Sequence, residues 1–298
     1  MKFQIVTDSS ADLSAEYAEA AGVTVVPFYV SLDGQTYLRE GRELAVSEMY
    51  ARMIADPDCF PKTSMPSVQD YIDAFMPAVK QKMPVLCICL TAKFSGSLQS
   101  AANAAMAVRD DEPDAEIYVM DSKLVTALQG LLVNEAVRLR DLNMTLREAV
   151  PLLENIRNTG RIFFTTKDLK YLEHGGRLGR VACMAGSILN LKPILQFSEG
   201  ALGRPEICRG RKRSLQRVAD SFCQFVTEHQ IDLKQYWFGT GLGLDIPEYD
   251  EFLEAIGSRL KEAGLQPQCW IKIHIGATIG VHTGPYPMGV GILKRCEV

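Results

Sequence analysis

Short apolar runs alternate with amphipathic stretches through the first half of the chain. Residues 3–7 read as a strand, Ser14 is placed to cap a helix through Ala21, and Gly22 stops it. Residues 23–30 form a second run rich in β-branched side chains, followed by the hairpin turn signal Asp33-Gly34. Ser47 can cap a helix through Ala55. Ser67 can cap another to about Lys80, with Asp70 at its third position near the positive end of the helix dipole. Residues 84–90 are almost purely apolar, as expected of a strand buried on both faces. An Ala-rich helix over 97–108, a strand over 117–120 and helices over 123–142 and 146–158 follow. Strands separated by helices of about 10–15 residues predict an open parallel α/β sheet.

The second half is patterned differently. A strand over 161–165 precedes the glycine-rich His174-Gly175-Gly176-Arg177-Leu178-Gly179 and a short apolar helix over 182–189. Residues 192–198 and 206–210 flank Glu199-Gly200 as a hairpin would, and 214–228 and 249–263 are amphipathic helices. Over 268–282, Cys269, Ile271, Ile273 and Ile275 alternate with Trp270, Lys272 and His274, the mark of a strand, and residues 288–293 add a last one. Hairpins with interspersed helices predict a mixed or antiparallel sheet with helices on one side. The expected class is therefore α/β in two domains: an N-terminal open parallel sheet over 1–160, and a C-terminal mixed or antiparallel sheet over 161–298.

Composition narrows the function. The chain has 298 residues, enough for one large core or two, and a net charge of −4 with a pI near 5.7. That balance exerts no long-range pull on nucleic acid or on an anionic membrane. No apolar run approaches the roughly 18 residues of a membrane span, and the first ten residues lack a secretory core, so a cytoplasmic protein without stable membrane insertion is expected. Eight cysteines are scattered, mostly in apolar runs, where a thiol acts as a small hydrophobe. Cys87 and Cys89 share a strand face, but no second pair has zinc-like spacing, so no metal site and no cofactor are expected.

The familiar catalytic signatures are missing. There is no phosphate-cradling G-x-x-x-x-G-K-[ST]. Gly239-Thr240-Gly241-Leu242-Gly243 follows a strand as a dinucleotide loop does, but its third glycine comes one residue early, and a simple turn is the expectation. Asp8 closes the first strand without the second acid a phosphatase needs, so Asp8-Ser9-Ser10 reads as turn capping. The basic run Arg209, Arg211, Lys212, Arg213 has no aromatic interleaving and reads as a solvated strand end. Two hydroxyl-rich loops remain: Lys62-Thr63-Ser64-Met65-Pro66-Ser67, and Thr91-Ala92-Lys93-Phe94-Ser95-Gly96-Ser97 at the carboxyl end of the buried strand. In open α/β sheets ligands bind at that edge, and hydroxyls beside free helix N–H groups suit an anion. Ser64, Ser67 and Ser97 are accounted for as helix caps. Thr63 and Ser95 lie further out than a cap needs and are the better ligand candidates.

At this point the sequence resembles a known family. Val6-Thr7-Asp8-Ser9-Ser10-Ala11-Asp12-Leu13, Thr63-Ser64-Met65-Pro66-Ser67, Phe94-Ser95-Gly96-Ser97-Leu98-Gln99-Ser100-Ala101 and Asp168-Leu169-Lys170-Tyr171-Leu172-Glu173-His174-Gly175-Gly176-Arg177 resemble the DegV family in order and spacing. Asp121-Ser122, Lys192-Pro193-Ile194-Leu195 and His282-Thr283-Gly284-Pro285 continue the match. The resemblance implies a carrier without catalytic residues that holds a long-chain fatty acid between two domains, as ligand rather than cofactor. It implies carboxylate binding by Thr63 and Ser95. Gly96 and His282 are candidate secondary head-group contacts on the residues' own chemistry, and Lys93 or His282 is a candidate to satisfy the carboxylate's charge, against the commoner surface Lys and core His. In some members a separate fatty acid kinase phosphorylates the bound acid, and Arg177 would then face that kinase. Met65, Lys93-Phe94 and Tyr286-Pro287 depart from the family pattern. The rival reading is an acyl-ester hydrolase with Ser95 as nucleophile and His282 as base. Against it, Lys93 stands where a nucleophile elbow has glycine, and no orienting acid is apparent.

Overall fold

The computed structural model of the chain describes residues 2–167, 169–177, 191–267 and 270–297. Four strands, Val23–Val26, Gln4–Asp8, Val85–Cys89 and Ile117–Asp121, lie side by side in that order and all run parallel. Every residue of Val85–Cys89 is buried, because helices cover both faces. Val6, Cys87 and Cys89 pack against Tyr71 and Phe75 of Val68–Val79 and Ala101 and Ala104 of Ser97–Asp111. Ile5, Leu86 and Ile88 face the opposite way, onto Thr126–Asp141 and Leu146–Ile156. This is the expected open parallel sheet, and Ser67 with Asp70 forms the expected reciprocal cap.

The second large sheet runs Ala201–Leu202, Leu191–Ser198, Arg161–Thr165, Met288–Lys294, Tyr236–Leu242, Trp270–His274, with Glu206–Arg209 also paired to Leu191–Ser198. Only its last pair is parallel. Phe163, Phe238, Val290 and Ile292 point to the face covered by Arg211–Glu228 and Glu248–Glu262. Ile162, Phe197 and Leu293 point the other way and join the core of the first sheet. The mixed sheet with helices on one side thus stands as expected, and its bare face meets the first half of the chain.

Several local expectations are corrected. The run over 23–30 is not one strand. It breaks at Pro27, and Tyr29–Ser31 pairs instead with Leu38–Arg39 and Lys62–Ser64 in a small antiparallel sheet. Thr63 consequently sits in a strand opposite Val30, not in a loop. Ser47 does not cap its helix, which starts one residue earlier at Val46–Ala55 with Ala45 in the cap position. Gly239 and Gly241 lie inside Tyr236–Leu242, so that motif is strand and not turn. Asp8 is no turn cap: its buried carboxylate accepts from Ser10 Oγ at 2.5 Å, Ser97 Oγ at 2.8 Å, Gln129 Nε2 at 2.9 Å and the Leu90 N–H at 3.0 Å. Ser97 is not a cap either, since its hydroxyl is taken by Asp8 and Tyr71. Of the alternation over 268–282, Gln268 and Cys269 lie outside the described residues, Trp270–His274 is a strand, and Ala277–Thr283 is a helix. The helix expected over 182–189 lies outside the described residues.

Candidate ligand-binding site

Between the bare face of the mixed sheet and the carboxyl edge of the parallel sheet lies a cavity of about 550 Å³, within the usual range for small-molecule sites. Part of its wall is polar, where Thr63, Ser95, Gly96, Arg177 and His282 all line it. Three elements deliver four of them: the small antiparallel sheet carries Thr63, the turn into Ser97–Asp111 carries Ser95 and Gly96, and the helix Ala277–Thr283 carries His282, while Arg177 follows the short helix Lys170–His174.

Thr63 Oγ1 and His282 Nε2 stand 3.2 Å apart. Ser95 Oγ accepts the Ser97 N–H at 3.1 Å, which holds the side chain while leaving its proton free to donate. His282 Nδ1 is buried with no partner among the described residues. Burial first, and the Arg177 charge second, push the His282 imidazolium down to about 4. The ring is therefore neutral at physiological pH. Arg177 is half-buried, donating to the carbonyls of Phe94 and Gly175, so its charge is fixed beside the cavity. Gly175 is there for space, since a Cβ would collide with His282 Nδ1. A Cβ on Gly96 would likewise meet Met65 Sδ at 2.7 Å, so Met65, 45% exposed, lies across the head-group turn. An expected result follows for His282. Its NMR titration midpoint should lie near 4 in ligand-free protein and rise by a unit or more when a carboxylate binds beside it. An ordinary midpoint near 6.5 in ligand-free protein would contradict the buried neutral ring.

The departures from the family pattern acquire places. Lys93 Nζ donates to the Glu199 carbonyl at 2.9 Å and Thr91 Oγ1 to the Gly200 carbonyl at 3.0 Å, while Phe94 meets Phe197 edge-on at 5.7 Å. The turn that holds Ser95 is thereby tied to the Glu199-Gly200 hairpin of the mixed sheet. Tyr286 lies under the Lys167 ammonium, 4.7 Å from its ring centre.

Two residues that sequence reasoning missed hold the His282 helix in place. Asp12 accepts the Gly276 N–H at 3.0 Å and the Thr126 hydroxyl. Glu40 accepts the Thr278 N–H at 3.1 Å, the Ser9 hydroxyl at 2.6 Å, the Ala277 N–H and the Thr278 hydroxyl. Burial raises the carboxyls of both, and at Asp12 the like charge of Glu40 raises it further. No periodicity or motif spacing marks Glu40, because its helix partners Ala277 and Thr278 lie more than two hundred residues away.

The rest of the cavity wall is mostly apolar, with Leu90, Val125, Ile162, Phe164, Phe197, Leu202, Ile275 and Ile279 in it, and Lys93, Thr126, Thr278 and Thr283 also border it. Four glycines contribute lining on adjacent strands, Gly239 opposite Gly291 and Gly241 opposite Gly289. Among the described residues, no group of three or more His, Cys, Asp or Glu side chains is placed to hold a metal ion, and no helix is long and apolar enough to cross a membrane.

A mostly apolar cavity with one hydrogen-bonding cluster defines a binding protein for an amphipathic ligand. The chain belongs to the DegV family, whose model, described as uncharacterised protein, matches residues 2–295. A DegV domain-containing protein of Caldanaerobacter subterraneus subsp. tengcongensis is 31% identical over 296 residues, covering 97% of this chain and 98% of its own. A stearic-acid-binding protein from Eubacterium ventriosum has a solved structure with a TM-score of 0.90 and 40% identity, covering 98% of both chains. The fatty-acid-binding DegV family protein of Thermus thermophilus superposes with a TM-score of 0.85 at 27% identity, covering 99% of this chain and 100% of that one.

Proposed function

We propose that this protein is a cytoplasmic carrier that binds one long-chain fatty acid without a cofactor and without transforming it. The observation that carries the reading is the cavity's make-up: a mostly apolar wall with one polar cluster, in which Thr63 meets His282 and Arg177 holds the Phe94 carbonyl beside Ser95 and Gly96. A buried methylene contributes about 0.8 kcal/mol, so a tail of about fifteen contributes on the order of 12 kcal/mol before ordering and association subtract several. The tail therefore supplies most of the affinity, and the polar cluster supplies orientation and the remainder. A carboxylate at that cluster needs its charge satisfied. Two hydroxyls and the fixed Arg177 charge would do this, with neutral His282 holding Thr63 in line. The similarity to the stearic-acid-binding protein at 40% identity supports the same reading.

The hydrolase geometry finds no support among the described residues. The Ser95 hydroxyl accepts from Ser97, the imidazole meets Thr63 rather than Ser95, and no acid orients its Nδ1. The proposal extends to delivery of the bound acid to a fatty acid kinase, which rests on the family resemblance. Denaturing extraction and mass spectrometry of purified protein should find about one fatty acid per chain, exchangeable for added labelled acid within minutes. Protein that carries none and takes up none would end the carrier reading. Stoichiometric labelling of Ser95 by a serine-directed phosphonate would revive the hydrolase.

A further inference from the structure

Gly239 and Gly241 stand in the interior of a central strand, where glycine lowers stability by roughly 0.5–1 kcal/mol each relative to alanine. Their neighbours in the same strand, Phe238, Thr240 and Leu242, are fully buried on the helix-covered face. A strand glycine normally answers to one of three needs: a left-handed backbone, a close backbone approach, or room for a ligand. The first is absent, because neither residue has a positive φ. The second is weak. A Cβ on Gly239 would meet Ile273 Cδ1 at 3.3 Å and the Ile271 carbonyl at 3.4 Å. One on Gly241 would meet Ile275 Cδ1 at 3.3 Å and nothing else nearer than 4.0 Å. The tightest contact in each case is the mobile end of an isoleucine. Gly289, across the ladder, is different: its Cβ would strike Phe164 Cβ at 2.6 Å and the Phe163 carbonyl at 2.8 Å, so packing alone demands glycine there.

That leaves the third need. Gly239 and Gly241 both border the cavity, and because strand side chains alternate, any side chain placed on them points into it. We propose that Gly239 and Gly241 are specificity-determining residues, whose missing side chains form the bed on which the distal part of a long acyl chain lies. The inference rests on the carrier reading above and names what sets the length of the acid it accepts. The two positions are one strand repeat, about 7 Å, apart along the bed. A side chain there removes tail volume without touching Thr63, Ser95 or His282.

The experiment measures dissociation constants of lipid-stripped full-length protein for octanoate, laurate, palmitate and stearate by displacement of a fluorescent fatty acid. Wild-type protein should tighten with each added pair of methylenes. Gly239→Val and Gly241→Val should each weaken stearate at least thirtyfold while leaving octanoate within threefold. The milder Gly239→Ala/Gly241→Ala pair, which adds only two methyl groups, should weaken stearate several-fold with octanoate unchanged and keeps the test valid if a valine variant does not fold. Equal loss at every length, or no loss at eighteen carbons, would overturn the inference while the carrier reading stands. Wild-type protein that binds none of the four acids would overturn both.

Discussion

Replacing Thr63 with valine and Ser95 with alanine together is expected to weaken stearate binding at least a hundredfold with little change in thermal stability. Valine keeps the shape of threonine, so the cavity wall is preserved while the hydroxyl that faces His282 at 3.2 Å is lost. Alanine at 95 removes the free hydroxyl proton of the neighbouring turn, along with the acceptor for the Ser97 N–H. A hydrogen bond to a charged group contributes about 1.5–3 kcal/mol, so losing two costs roughly 3–6 kcal/mol of binding. That corresponds to a factor of a hundred or more. The lost helix-start contact costs about 1 kcal/mol of stability, a few degrees at most in melting temperature. Titration calorimetry of the lipid-stripped variant decides it. Affinity within threefold of wild type would show that the carboxylate is held elsewhere.

The largest effect on stability is expected from Glu40→Leu. Glu40 is 7% exposed and accepts four hydrogen bonds, from Ser9, the Ala277 N–H, and both the N–H and the hydroxyl of Thr278. Leucine fills the space but leaves those donors unpaired in the interior, at a cost of about 3–5 kcal/mol. For a chain of this size each kcal/mol moves the melting temperature by about 2–4 °C, so a drop of roughly 6–20 °C is expected. Glu40→Gln keeps an acceptor and removes one of two neighbouring negative charges, and should stay within about 1.5 kcal/mol of wild type. The direction with pH follows from burial, which raises both Asp12 and Glu40. Their folded forms bind protons more readily than the unfolded chain, so their contribution to stability falls as pH rises above the ordinary carboxylate range. The depressed His282 acts oppositely: its contribution is complete above 6.5 and lost as pH falls toward 4. A Glu40→Leu protein that melts with wild type would show that the helix start is not held by this carboxylate.

Much of the fold was legible because local rules and burial agree. The uniform apolar run at Val85–Cys89 is buried throughout, as a central parallel strand must be. Ser67 and Asp70 cap each other through contacts three residues apart, a range that sequence displays. The errors fall where distant partners decide. Over 268–282 the β-branched alternation continues past His274, yet the chain turns helical at Ala277, where Glu40 and Asp12 accept the N–H groups that start the helix. At Pro27 the ladder loses a donor, and the chain leaves the parallel sheet to build a second, smaller one. That change of sheet brings Thr63 to His282, 219 residues away.

The sequence by itself determined the α/β class, the two kinds of sheet, and the hydroxyls at Thr63 and Ser95, because periodicity, capping and turn chemistry act over a few residues. It also displayed Gly239 and Gly241, but in a motif that pointed to a turn. Only the tertiary structure showed these glycines inside a strand, facing a cavity whose other wall is the first half of the chain. An empty volume has no residues of its own. It exists only where two faces are held apart, and neither face carries that spacing in its own sequence.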